Sequence, residues 1–256
     1  MRFIRRFNRR FFAFAATSFA IAGSAQAWSW SFGSGERVKG SGEVTSETRD
    51  VGSFDGIALS GGFKVLVRQN STSKVALKAD NNLLALIETK VVEGSKGRTL
   101  EISTKRGFSL SPTVAPVITL DMAQLRALSI AGSGDVQVEA MKTPSVEASI
   151  AGSGDIRFTD LDSDRLGLRV AGSGDVTATG RTGNLEVSVA GSGDVRVKGL
   201  VAQDVKISIA GSGDAQVQAV RTLKVSVSGS GDVGYIGSPE ISISVAGSGK
   251  VRKLAN

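Results

Sequence analysis

The chain has 256 residues, 31 Lys or Arg against 24 Asp or Glu, a formal charge of +7, and neither histidine nor cysteine. The two missing residue types exclude imidazole acid–base catalysis, Ser–His and Cys–His nucleophile pairs, the usual zinc and haem ligand sets, and any disulfide brace. The charge belongs mostly to the first 27 residues: without their five arginines the formal charge is +2. Neither that balance nor any basic–aromatic interleaving supports a nucleic-acid partner.

Residues 1–27 read as a cleaved signal peptide. Arg2, Arg5, Arg6, Arg9 and Arg10 form a basic start, Phe11 to Ala22 an apolar run too short to span a bilayer, and Ala25-Gln26-Ala27 a small-x-small cleavage site. Arg9-Arg10-Phe11-Phe12 resembles part of a twin-arginine signal, so export by the general or the twin-arginine route stays open. Residues 28–42 are rich in Ser and Gly, with Trp28, Trp30 and Phe32 as apolar anchors, and read as a flexible leader. There is no integral membrane segment after cleavage.

Residues 43–256 read as one domain. From 43 to 120 the pattern is β-rich and irregular: Phe63, Val65, Val67, then Val75, Leu77, Ala79, then Leu100, Ile102 alternate as strands. Thr72 and Ser73 suit a hairpin turn between the first two, and Asn81 or Asn82 a cap for a short helix through Leu83, Leu84, Leu86 and Ile87. This region is expected to supply first coils and a cap, because an uncovered first coil exposes apolar side chains and unpaired edges.

From 121 to 256 one phrase governs the chain. Ala131-Gly132-Ser133-Gly134-Asp135 returns at Ala151, Ala171, Ala190, Ala210, Ser228 and Ala246, at intervals of 20, 20, 19, 20, 18 and 18 residues, with Lys250 replacing the aspartate in the last copy. A near-constant period of this size marks a repeat architecture. The flanks alternate as half-buried strands do, as in Val146, Ala148, Ile150 before the phrase and Ile156, Phe158 after it. The six-residue step from Ile150 to Ile156 preserves the phase, which places Gly152 and Gly154 inside and Ser153 and Asp155 outside. Gly-Ser-Gly is then a corner, with glycine where the bend leaves no room for a side chain. Coils of this length stack strand on equivalent strand, about 4.8 Å apart, as a parallel β-helix or β-solenoid. Two interior ladders follow: Val138, Phe158, Ala178, Val197, Val217, Tyr235; and Ile130, Ile150, Val170, Val189, Ile209, Val227, Val245.

These repeats, with the entry segment from Phe54 to Val65 (Phe-Asp-Gly-Ile-Ala-Leu-Ser-Gly-Gly-Phe-Lys-Val), resemble the bacterial auto-transporter adhesin family with a head GIN domain, over about Phe54 to Val251. The resemblance implies an all-β fold, a right-handed, pectin-lyase-like β-helix without that superfamily's catalytic residues, and a role in adhesion at the cell surface.

Asp135, Asp155, Asp175, Asp194, Asp214 and Asp232 form the chemically unusual column. Carboxylates about 5 Å apart repel by roughly 0.8 kcal/mol in water and about 3 at an effective dielectric of 20. Backbone N–H groups at each aspartate's own corner, neighbouring serine hydroxyls, or a row of cations are the three available offsets. Lys250 places a positive charge at the end of the row. No Gly-x-Ser-x-Gly elbow and no phosphate-cradling loop is present. The expectation is therefore no catalytic, cofactor-binding or metal-binding residue. The sequence points to an exported, non-enzymatic protein, periplasmic or at the cell surface, with an adhesion or envelope-scaffolding role and an envelope or surface ligand, protein or glycan. The alternative is a polysaccharide-binding or lyase-like β-helix, although one Tyr and two Trp leave few rings for sugar stacking.

Overall fold

Alternating apolar residues fold into strands, most of which wind into parallel coils rather than pair as hairpins. A computed structural model describes residues 35–94 and 97–255; the expected signal peptide and Trp28, Trp30 and Phe32 lie outside them. The strands are β1 (Glu36–Lys39), β2 (Val44–Arg49), β3 (Gly56–Ser60), β4 (Lys64–Gln69), β5 (Lys74–Asp80), β6 (Ile87–Gly94), β7 (Gly97–Thr104), β8 (Phe108–Ser111), β9 (Val117–Met122), β10 (Ala127–Gly132) and β11 (Asp135–Val138). Five long strands follow that continue around corners: β12 (Met141–Gly152), β13 (Asp155–Gly172), β14 (Val176–Gly191), β15 (Val195–Gly211) and β16 (Ala215–Gly229). The last coil holds β17 (Val233–Ile236), β18 (Glu240–Gly247) and β19 (Val251–Lys253).

All pairings from β10 onward are parallel, with each residue opposite its equivalent one coil away, in a β-solenoid of about six turns. We call the strand before each glycine phrase the first side of a coil, the strand after it the second, and the remaining strand the third. On the first side Ile130, Ile150, Val170, Val189, Ile209, Val227 and Val245 stand in register. On the second, Val138 meets Phe158, Phe158 meets Ala178, and Val197, Val217 and Tyr235 stack; a register shift between Thr177 and Thr179 interrupts the row. Except for Tyr235, which is partly buried, and Val245 in the final coil, both ladders are buried. That burial, at about 25 cal/mol per Å² of apolar surface, is the main stabilising term.

The glycine phrase joins the first side to the second, with a refinement of the expected geometry. Gly154 is buried, but Gly152 is only half-buried. What both positions meet is the coil before them. A Cβ on Gly152 would collide with the Gly132 carbonyl oxygen, and one on Gly154 with the Gly134 carbonyl oxygen and, at 2.9 Å, with Ile130 Cγ2. Gly152 also has φ of +137°, a region costly for any residue with a Cβ. Ser153 N–H donates to Gly132 O at 2.9 Å, and the same bond recurs at Ser173, Ser192, Ser212, Ser230 and Ser248.

The N-terminal end departs from the expected hairpin. β4 and β5 do not pair with each other: β9 lies between them, parallel to β4 and antiparallel to β5, and β2 continues outward from β5. On the first side β7 runs parallel to β3 and antiparallel to β6. Both sides thus change from parallel coils to antiparallel cover within one strand. The expected helix is a single 3₁₀ turn, Leu84–Leu86, with Leu83 at its cap position and no side-chain cap bond. Asn81 and Asn82 bond to Glu43, Ser41 and the Lys39 carbonyl instead. The expected leader is structured in its last part: β1 pairs with β8, and the buried Asp80 accepts from Gly42 N–H and from Thr113 N–H and Oγ1–H.

Gly154→Val is expected to cost about 3 kcal/mol or more, and Ser153→Val less than about 0.5, in parallel denaturant melts. Equal losses would contradict the assignment of one position to the stacked interior and the other to solvent.

Candidate functional site

The aspartate column has a partner, and it is not the aspartate's own corner. Asp175 N–H donates to Asp155 Oδ1 at 3.0 Å, Asp194 N–H to Asp175 Oδ1 at 3.0 Å, Asp214 N–H to Asp194 Oδ1 at 2.9 Å, Asp232 N–H to Asp214 Oδ1 at 2.8 Å, and Lys250 N–H to Asp232 Oδ1 at 2.9 Å. Each carboxylate therefore holds the equivalent backbone of the following coil. The reverse bond runs beside it: Val176 N–H donates to the Asp194 carbonyl, Val195 N–H to Asp214 and Ala215 N–H to Asp232, each at 2.9 Å. At the corner the aspartate N–H has lost its backbone acceptor, and the side chain supplies one. Asp135 stands outside this chain of bonds, because Asp155 N–H finds the Gly134 carbonyl at 3.2 Å.

Charge repulsion is offset by a guanidinium the sequence reading missed. Arg196 donates through Nη1 to Asp175 Oδ2 at 2.7 Å and through Nη2 to Asp194 Oδ2 at 2.6 Å, leaving both Oδ1 atoms to the backbone. Lys250 forms no ion pair with Asp232; only its N–H continues the column. Among the described residues no group of three or more acidic side chains converges as a metal-ion cage.

Two grooves lie on the outer surface. The larger, about 1010 Å³, runs over the third side; Gln69, Lys142, Asp160, Asp162, Arg181 and Gln203 are among its lining residues. Arg181 grips Asp162 with two hydrogen bonds, of 3.0 and 2.6 Å. That guanidinium holds the Asp162 carboxyl below its ordinary range. Gln69 is fixed by accepting from Lys142 N–H at 2.8 Å and donating to the Lys142 and Ala123 carbonyls at 2.9 Å. Asp160, at φ +58°, is the one non-glycine residue with positive φ among the described residues. The smaller groove, about 520 Å³, crosses the start of the aspartate column beside Lys64, Arg157 and Arg196. Both present charged and amide groups among apolar lining residues, and no nucleophile–base pair is evident among the described residues that line them.

Further ion pairs join successive coils: Glu186 with Lys206, Glu147 with Arg169, and Asp204 with Arg221. The signal for them is in the sequence, as opposite charges set roughly one period apart. Arg221 and the Thr222 hydroxyl hold the Asp204 carboxyl down to about 2 from an ordinary 3.8.

This architecture defines a class: parallel β-solenoid proteins whose coils are closed by a glycine–aspartate corner. Within it, the profile of the family described as "putative auto-transporter adhesin, head GIN domain" matches residues 53–239, and the chain belongs to that family. Among solved structures, a "putative lipid binding protein" from Parabacteroides distasonis ATCC 8503 is 27% identical, with 86% of this chain and 100% of that chain covered and a TM-score of 0.69. A "putative adhesin" from Bacteroides fragilis NCTC 9343 is 24% identical over 85% of this chain and 100% of that one, with a TM-score of 0.77. A third, a "putative adhesin" from Parabacteroides merdae ATCC 43184, is 20% identical over 86% and 100%, with a TM-score of 0.69. No curated protein matches the chain. No helix among the described residues is long and apolar enough to cross a membrane.

Three measurements follow. Asp214→Ala, which removes the acceptor for Asp232 N–H, is expected to lose about 1–2 kcal/mol, whereas Asp214→Asn, which keeps an oxygen there, stays within about 0.5; urea titration separates them. Thermal melts in millimolar calcium and in chelator are expected to coincide, because five of the column's six carboxylates already accept a backbone N–H; a shift of many degrees would assign cations to it. A folded-state pKa depressed below its unfolded value contributes stability that is complete above the unfolded pKa and is lost as the carboxyl protonates. The melting temperature is therefore expected to fall between about pH 4 and pH 2, and Asp204→Asn to flatten part of that fall.

Proposed function

We propose that this chain is an exported, non-enzymatic binding protein that acts in adhesion or envelope scaffolding, its solenoid serving as a rigid support for the polar groove over the third side. The observation that carries the reading is the array of charged and amide groups along that groove, with Asp162 paired to Arg181 and Gln69 held by three backbone hydrogen bonds, on a frame without His or Cys. A side chain already oriented by such bonds loses less freedom when a ligand binds. Family membership supports the adhesive role. The groove's charged and amide groups offer hydrogen-bond partners to a protein or glycan ligand, beside apolar Ala140 and Val201.

In this reading residues 1–27 are removed on export, residues 43–256 form a single domain, and the coils wind right-handed, the hand nearly all parallel crossover connections take. The protein resides in the periplasm or at the cell surface. A second reading, a polysaccharide-binding or lyase-like solenoid, draws on the same groove, whose length across several coils suits an extended polymer.

A glycan array combined with an assay for unsaturated products on uronate polymers distinguishes the two. Binding to a surface protein or glycan without cleavage is expected, and it should weaken at least tenfold in a Lys142→Ala/Gln203→Ala variant. Double-bond formation at the uronate would end the non-enzymatic reading. Fractionation of producing cells with surface proteolysis locates the protein.

A further inference from the structure

The two ends of the coil stack are finished differently. In the penultimate coil Leu223, Val225 and Val227 are at most 4% exposed, while their counterparts in the last coil, Ile241, Ile243 and Val245, are 38%, 50% and 38% exposed. Among the described residues β18 pairs on one edge only, with β16, and β19 pairs only with β17. Edge strands are normally blunted by charge. β19 is: it carries Arg252 and Lys253 and follows Lys250. At the other end of the stack, edge strands β2 and β6 carry Glu47, Arg49, Glu88, Lys90 and Glu93. β18 has a single charge, Glu240, at its start, followed by Ile-Ser-Ile-Ser-Val-Ala-Gly.

We propose that the open edge of β18 is an interaction surface for a second copy of this chain, joined end to end about a twofold axis at Ile243. The occupant follows from four features. The run Ile241-Ser242-Ile243-Ser244-Val245 has the same polar pattern in both directions. An antiparallel neighbour of identical sequence therefore sets Ile243 against its own mate and Ile241 against the partner's Val245, with all six apolar side chains on the core side and the serines outside. The axis stands normal to the first side, so inward residues stay inward in both copies. The charged edges of β2, β6 and β19 disfavour head-to-tail addition, and a self-paired edge closes at two copies rather than growing. Finally, the surface is one coil, an 18-residue period, against about 20–30 residues a side in a standard interface. That size matches a weak dimer, populated only at high local concentration.

The test uses the full chain as purified from cells. Sedimentation velocity is expected to show monomer at about 1 μM moving to dimer toward about 1 mM, the range of a small interface. Ile243→Lys is expected to remain monomeric throughout and to keep a single cooperative melt, with the melting temperature lowered slightly, since its side chain is half exposed in the single copy. The wild-type chain has no cysteine, so introduced thiols report position. Under mild oxidation Ile243→Cys is expected to cross-link to its mate, Ile241→Cys alone to remain monomeric, and the double variant Ile241→Cys/Val245→Cys to cross-link. Monomer at every concentration would overturn the proposal. So would Ile241→Cys linking as readily as Ile243→Cys, or a dimer that disappears when residues 28–34 are deleted, which would assign the edge to the leader.

Discussion

From the second glycine phrase onward, one backbone approaches the next at the corner so closely that only hydrogen fits between them. A Cβ on the first glycine of such a phrase would strike the first-glycine carbonyl one coil earlier, and a Cβ on the second would strike its own counterpart. Such contacts leave no tolerance for slippage along the stack. Register is therefore set at the corners, and the apolar ladders, which a slip of two residues would still bury, inherit it. The division is physically sensible: hydrophobic burial is strong but non-directional, whereas a carbonyl meeting a glycine hydrogen admits one alignment.

The aspartate completes that corner. Turning the chain costs the aspartate N–H its backbone acceptor, and a buried or half-buried N–H without a partner is expensive. A carboxylate one coil back is the right length to replace the lost carbonyl, and its second oxygen stays free for Arg196 where two half-buried aspartates adjoin. Like charges are thus held in a row by the same bonds that fix the coils, with one guanidinium at the crowded centre. The second oxygens face solvent elsewhere, where water screens them.

The coil architecture was legible because a period of about 20 residues is visible without any knowledge of pairing. The alternation through Ile150 and Ile156 placed Gly154 and Ser153 on opposite faces correctly. Features governed by long-range choice were not legible. Thr72 and Ser73 look like a hairpin turn because β4 and β5 flank them, yet β9, forty residues later, takes the place between the two strands. Leu83 to Ile87 has helical spacing, but Ile87 is claimed by β6, which leaves one 3₁₀ turn. The aspartate's role was half legible: the column and its repulsion could be read, but the acceptor it replaces belongs to a neighbouring coil. Arg196, Arg181 and Arg221 could have been found by aligning rows at the repeat period.

The same logic explains how the stack ends. Lys250 accepts the role of donor, giving its N–H to Asp232, but its side chain offers no oxygen to a further coil. The hydrogen-bonded column that locks each corner to the next therefore stops by composition. On the first side nothing equivalent happens: Ile241, Ile243 and Val245 continue the interior pattern as though another coil followed. Termination is thus enforced at the corner and along β19, and left open along β18. Past the Lys250 corner the column offers no further carboxylate acceptor, while the open edge of β18 presents the backbone groups an isolated antiparallel strand would pair with.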